Sequence, residues 1–375
     1  MKRLKKILSY RRGHGSAGER KFCYDLLAAY SPTPFLHATT REPLAYVVDV
    51  ATPDGVVPPV LWCCHIDTVH AVSDVTRQEV MYDEDIALFY KNDNEPLGAD
   101  DGAGIWLLME MIDAKVPGSY IFHRGEECGG VGSSGMAEQH TDWLSRFKWA
   151  IAFDRKDCGD VITTQFVGRC CSDEFAQALA VVLNTTGGFM YRPDDTGVFT
   201  DTANYRRIIP ECTNLSVGYE SEHTMHEMLD AGHVQSLRDT LVKSFTAGID
   251  LPVKRDKDAI DQYEYDWMDY RQYPSFTKDW KDNVHEFGKR TGQKTKRYKK
   301  DKVSTVDWRD YKNVPENASD VLTLTFEEVA EFVREGHTSD VAELLMNLAQ
   351  EVVDLDSYIE STEVQPMDAE DTVPQ

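Results

Sequence analysis

Residues 57–65, Val-Pro-Pro-Val-Leu-Trp-Cys-Cys-His, are apolar until a histidine stops them, and Asp67 follows His65 by two positions. A strand with one wet face alternates apolar and polar residues, whereas a strand covered on both faces need not. This run therefore demands packed layers above and below it, which points to a sheet with helices on both sides. Three later runs share its design. Residues 119–123 lead to Glu126 and Glu127, residues 148–153 to Asp154, and residues 212–219 to His223. Helix-like segments lie between them: the apolar stretch 105–112, a short one over 133–140, residues 173–183 behind the capping Ser172, and a long final one over 226–245. This alternation predicts an α/β fold, a three-layer sandwich around a mostly parallel mixed sheet. In such sheets ligands collect beyond the carboxyl ends of the strands, where His65, Asp67, Glu126, Glu127, Asp154 and His223 all fall.

Finer features follow from local chemistry. Residues 12–30 read as one helix with a loose start. Residues 45–50 and 57–65 flank the turn signal Thr-Pro-Asp-Gly and read as a hairpin. Residues 86–90 make a further short strand, the small-residue stretch 98–104 a loop, and residues 161–166 an antiparallel neighbour of 148–153.

Two divalent cations about 3.5–4 Å apart need one shared carboxylate and a few outer donors. Nitrogen and oxygen donors suit zinc. His65 and Asp154 would hold one ion, His223 and Glu127 the other, and Asp100 would lie between them. Each ion keeps an open side for a water acidified by both. Glu126, beside a ligand but outside the set, would be the general base. Asp67 points to the same side of an extended segment as His65 and would orient a ligand or the base. Each piece alone has a bland reading: Asp-Asp in a glycine-rich loop is usually a cap, and His-x-Asp is a common accident. The order of the pieces, each at the end of a strand, carries the inference. His226 competes with His223, three residues away. His70 and His123 lie near motif ends, and His14 sits in a loop; all three read better as structural or solvated. Asp201 and Tyr205 fall in a segment that would line a substrate pocket, with Tyr205 as an oxyanion donor.

Over residues 10–248 these motifs resemble the co-catalytic di-zinc exopeptidase family, which includes bacterial leucyl aminopeptidases and tripeptide aminopeptidases. His-Ile-Asp-Thr is similar to its first metal motif, implying His65 as ligand and Asp67 as supporting aspartate. Leu-Gly-Ala-Asp-Asp-Gly-Ala-Gly resembles its bridging motif, implying Asp100 as bridge and a cis peptide to Asp101. Glu-Glu-Cys-Gly-Gly-Val-Gly-Ser implies Glu126 as base and Glu127 as ligand. Phe-Asp-Arg supplies Asp154, and the segment ending Ser-Glu-His-Thr supplies His223. Larger family members insert a lid or dimerisation domain before the last motif. Here only about 70 residues separate Asp154 from His223, so the chain looks closer to the single-domain branch. The resemblance implies a metal-dependent aminopeptidase with two zinc ions, cobalt or manganese being tolerated. A carboxypeptidase, a dipeptidase, an N-acyl amino acid amidohydrolase, or a non-catalytic binding protein on the same fold are the alternatives.

Composition changes beyond the last motif. Residues 1–250 read as the peptidase domain, 251–320 as a charged linker or irregular extension, 321–360 as a small helical module and 361–375 as a disordered acidic tail. The formal charge of −24 argues against binding nucleic acid or an anionic membrane. No run has the length of a membrane span, and no signal-length apolar run follows the basic start, which predicts a cytoplasmic protein. The expected partner is a peptide or acyl-amino-acid substrate. The eight cysteines, without metal-site or disulfide spacing, read as buried thiols.

Overall fold

The computed structural model describes residues 1–246 and 248–259. Apart from residues 251–259, the expected extension, helical module and acidic tail lie outside them. Helices α1 (Lys2–Leu8) and α2 (Ala17–Asp25) come first, then a 3-10 turn (Leu27–Tyr30). β1 (Thr33–Leu36), β2 (Pro43–Val50), β3 (Val60–His65), β4 (Met81–Asp83), β5 (Leu88–Tyr90), α3 (Ala99–Asp113) and β6 (Gly118–His123) follow. Next are α4 (Val131–Gln139), α5 (Thr141–Leu144), β7 (Trp149–Arg155), β8 (Asp160–Ile162), β9 (Thr164–Gln165), β10 (Gly168–Arg169) and α6 (Asp173–Gly187). β11 (Arg192–Asp194), a second 3-10 turn (Asp201–Tyr205), β12 (Glu211–Ser216), β13 (Tyr219–Glu220), β14 (Met228–Asp230) and α7 (Ala231–Phe245) complete the order.

Eight strands form one mixed sheet in the order β1-β2-β6-β3-β7-β12-β8-β11. Its centre, β6-β3-β7-β12, is parallel throughout. The antiparallel pairs lie outside that centre, β1 with β2, β2 with β6, and β8 with β12. The two faces of β3 explain its unbroken apolar run. Trp62 and Cys64 join one core cluster with Phe122, Ile151, Phe153 and Leu108 of α3. Leu61 and Cys63 join a second, with Ile121, Ala150, Met136 of α4 and Leu144 of α5. The period of two sends alternate side chains to opposite layers, and both layers are filled.

Several elements depart from the sequence reading. β2 and β3 are not a hairpin, because β6 lies between them. Pro58 and Pro59 remove two ladder donors just after the turn, and β3 begins only at Val60. The stretch 161–166 does not neighbour β7. The place is taken by β12, buried at every residue and so fit for the middle of a sandwich, while β8 pairs with β12 and β11. Residues 98–104 are not simply a loop, since α3 starts within them around a non-helical Asp100 and Asp101. Gly104 is small because a Cβ there would lie 2.6 Å from the Phe153 carbonyl oxygen, so α3 packs directly on β7. The last helix starts at Ala231 and not at 226, because Asp230 caps it by accepting from the His233 N–H at 2.8 Å, and residues 228–230 pair with β13 and β5. Residues 12–30 divide into α2 and a 3-10 turn, and α1 was not anticipated. No disulfide joins the cysteines, but Cys128 and Cys158 are exposed rather than buried. No described helix is long and apolar enough to cross a membrane.

Candidate metal centre

The parallel centre of the sheet ends at one edge, and four segments leave it there. His65 closes β3. Its Nδ1 lies 3.0 Å from the Asp67 carbonyl oxygen, which fixes the ring and leaves Nε2 free. That Nε2 lies 2.9 Å from Asp100 Oδ1 and 3.4 Å from Asp154 Oδ1. Asp154 is held from several sides. Thr200 Oγ1 donates to Oδ2 at 2.7 Å, and the Tyr219 hydroxyl donates to Oδ1 at 3.2 Å. The Asp154 N–H donates to Asn214 Oδ1 at 2.9 Å.

Asp100 stands at the start of α3, joined to Asp101 by a cis peptide bond. Its second oxygen, Oδ2, lies 3.2 Å from His223 Nε2, which also lies 3.0 Å from Glu127 Oε2. One carboxylate thus faces two separate donor sets. His65, Asp100 and Asp154 form the first, Asp100, Glu127 and His223 the second, and the donor atoms within each set lie within 4.8 Å of one another. Asp101 turns the other way, accepting from the His65 N–H at 3.1 Å and the Gly104 N–H at 2.9 Å. The Asp67 carboxylate accepts from the N–H groups of Gly125 (2.7 Å), Glu126 (3.2 Å) and Glu127 (3.2 Å). Glu126 belongs to neither donor set.

The electrostatics are those of crowded carboxylates. Burial opposes a charged His65 ring, yet Asp154 and Asp100 raise its pKa well above the ordinary value. Burial also opposes a charged His223, but Asp100 and Glu127 push it up to about 11. Burial and the Asp100 charge push Glu127 up to about 7 and Asp154 up to about 6. Burial raises Glu126 well above the glutamate range. Against burial, the two histidines hold Asp100 below the usual range. The pocket therefore asks for positive charge that its two imidazoles meet only by protonation. Glu127 Oε1 is buried with no hydrogen-bond partner. An orphaned carboxylate oxygen, two imidazoles and a shared carboxylate make a donor set that suits zinc-like divalent cations.

The other sequence candidates separate cleanly. His226 is exposed and outside both donor sets. His70 lies in a buried network with Thr68 and Gln78, and burial lowers its pKa to about 4. His14 packs near Glu19 and Gly125. Tyr205 is not poised over the centre: it is fully buried in the second core cluster, with its hydroxyl 2.6 Å from His123 Nε2. Asp201 faces His123 Nδ1 at 3.1 Å, so this trio is internal. Sequence reasoning missed Thr200, Asn214, Tyr219 and Glu227. Asn214 and Tyr219 lie within the stretch that ends at His223 but were given no role, Thr200 and Glu227 lie outside every motif, and only the folded chain brings the four to the ligands.

No protein-family model matches the sequence, and no curated protein does. Solved structures do match in fold. The aminopeptidase PepT from Bacillus cereus superposes with a TM-score of 0.55 at 12% identity, over 65% of this chain and 96% of that one. A tripeptidase from Staphylococcus aureus gives 0.51 at 14% identity, over 65% of this chain and 96% of its own. At these identities the likeness is one of fold: the described domain has the architecture of these two peptidases.

Proposed function

We propose that this chain is a metal-dependent aminopeptidase that binds two zinc ions, cobalt or manganese being able to replace them. The observation that carries the reading is the Asp100 carboxylate, whose two oxygens face imidazoles of two different donor sets. His65, Asp100 and Asp154 would hold one ion; Asp100, Glu127 and His223 would hold the other. When bound, such a pair supplies Lewis acidity to the scissile carbonyl and lowers the pKa of a nearby water. Glu126 takes the proton of the attacking water and returns it to the leaving amine. Asp67 keeps Glu126 and Glu127 in place through their backbone N–H groups, and the Asp67 carbonyl keeps the His65 ring in one tautomer. Thr200 and Tyr219 steady the Asp154 carboxylate.

The test is a substrate panel of aminoacyl amides, tripeptides and N-acyl amino acids, run with and without chelator. Hydrolysis is expected at free amino termini, lost on chelation and restored by zinc. Glu126→Ala is expected to lower kcat by about 10²–10⁴-fold, or about 3–5 kcal/mol, with zinc content unchanged. An undiminished rate in that variant removes Glu126 from the chemistry. Activity confined to acyl amino acids or carboxyl-terminal residues moves the assignment to an amidohydrolase or a carboxypeptidase.

A further inference from the structure

Glu227 is a carboxylate that the chemistry above does not use. It is 2% exposed and follows His223 by four residues. Its oxygens accept three consecutive backbone N–H groups: Gly98 at 2.9 Å, Ala99 at 2.7 Å and Asp100 at 3.0 Å. The same loop is gripped from the other side, where Arg12 Nη2 donates to the Gly98 carbonyl at 3.0 Å. The bland reading is a cap: the first N–H groups of a helix have no partner within it, and a carboxylate satisfies them. Two facts take Glu227 further. The third N–H that it holds belongs to Asp100, the residue shared by both donor sets. The segment that carries it is the one that delivers His223 to Asp100 Oδ2 and Glu127 Oε2.

We infer that Glu227 is a positioning residue of the metal centre, fixing the Asp100 backbone and tying it to the His223 segment. The inference rests on the two-cation reading. It has an asymmetric consequence. The set His65, Asp100 and Asp154 keeps two members on core strands when Glu227 is lost. The set Asp100, Glu127 and His223 has two of its three members attached to Glu227, one by hydrogen bond and one by chain. Apart from a part-exposed ion pair of its neighbour Glu222 with Lys156 at 3.0 Å, and its own turn, the His223 segment is open: the His223 side chain is 48% exposed and its backbone is left-handed with φ 66°. The second set therefore fails first.

The experiment titrates metal-free protein with zinc against a competing chelator, for the wild type, Glu227→Ala, Glu227→Gln and a matched control, Glu211→Gln. Glu211 is also a fully buried carboxylate, accepting from the N–H groups of Ser172, Lys254 and Arg255, but it opens β12 at the far end of the strand from the centre. The wild type is expected to take up two ions. Glu227→Ala is expected to keep one site within about threefold and to weaken the other about 10–100-fold, the range seen for residues that orient ligands. Glu227→Gln, which retains one acceptor oxygen, should fall between, and it carries the test should the alanine variant not fold. Glu211→Gln should lower thermal stability and leave both affinities as they were. Two wild-type affinities in both Glu227 variants overturn the inference, and so does an equal loss of zinc in Glu211→Gln. A wild type that takes up no pair of ions refutes the two-cation reading itself and the inference with it.

Discussion

The turn that carries Glu126 and Glu127 is fastened to α2 by a buried ion pair, and its strength can be worked out and measured. Arg124 donates to Glu19 with Nε at 2.7 Å and Nη2 at 2.8 Å, a bidentate contact in which the side chains are 11% and 1% exposed. Glu19 also accepts from the Gly15 N–H at 2.7 Å. Burial opposes the charge on Glu19, yet the bonds from Arg124, with the His14 ring 3.7 Å away, win and lower its pKa from the ordinary 4.5 to about 2. The difference, 4.5 − 2 or about 2.5, at 1.36 kcal/mol for each, makes ionised Glu19 worth about 3 kcal/mol at neutral pH. Because the folded value lies below the unfolded one, that contribution is complete above about pH 4.5. It drains away as the pH falls toward about 2. Glu19→Gln copies the shape of the protonated acid, so its stability relative to the wild type isolates the charge. Urea denaturation of the metal-free proteins should give a difference of about 3 kcal/mol at pH 7, narrowing below pH 4.5 to about 1 kcal/mol at about pH 2.5. Groups remote from Glu19 cancel in the comparison; His14, whose pKa Glu19 raises, adds to the difference only where it is protonated, at mildly acidic pH. A difference that does not change with pH, or one below about 1 kcal/mol at pH 7, as for a surface pair, refutes the reasoning.

Two further substitutions probe the centre and the core. Thr200→Val removes the hydroxyl that donates to Asp154 Oδ2 at 2.7 Å. It should cost about 1.5–3 kcal/mol in the metal-free protein by urea denaturation. It should also weaken zinc about tenfold in chelator competition; equal affinity would leave Thr200 with a packing role only. Trp62→Ala empties a site between Trp149, Phe153 and Phe245, where Trp62 is 1% exposed. It should cost about 3–5 kcal/mol in the same assay, and a loss under about 1 kcal/mol would contradict the packing described.

What could be read from the sequence depended on whether the cause was local. The doubly buried run ending at His65 announces a strand in the middle of a sandwich, because nothing else fills two faces with Leu61 and Trp62 in succession. The cap of α6 was legible for a similar reason: Ser172 Oγ accepts from the Phe175 N–H three residues on. Strand pairing was not legible. Whether β2 lies beside β3 or β6 is decided by residues dozens of positions away, and the turn signal between them gave the wrong partner. The start of α7 was missed because His226 and Glu227 look like helix residues until Asp230 is seen to cap. In the centre, His65, Glu127, Asp154 and His223 could be named as candidates because each stands at or just beyond a strand end, and Asp100 because of its small-residue surroundings. Their supports could not. Thr200 and Asn214 meet Asp154 across 46 and 60 positions, and no spacing rule reaches so far.

Those supports follow a common rule. The backbone N–H of His65 is held by Asp101, from the start of α3. The N–H groups of residues 98–100 are held by Glu227, from the His223 segment. Those of residues 125–127 are held by Asp67, from the His65 segment, and that of Asp154 by Asn214 of β12. In each case a segment that carries a donor has its main chain fixed by a side chain from a different such segment. Strand ends are where ladder hydrogen bonds run out, so these N–H groups need partners, and carboxylates and an amide supply them. The arrangement fills two needs at once, satisfying the chain where the sheet stops and setting the distances between donors. It also accounts for the surplus of buried acids. Asp67, Asp101 and Glu227 each neutralise backbone dipoles, which leaves Asp100, Glu127 and Asp154 as the carboxylates whose charge must be met by the two imidazoles or by cations.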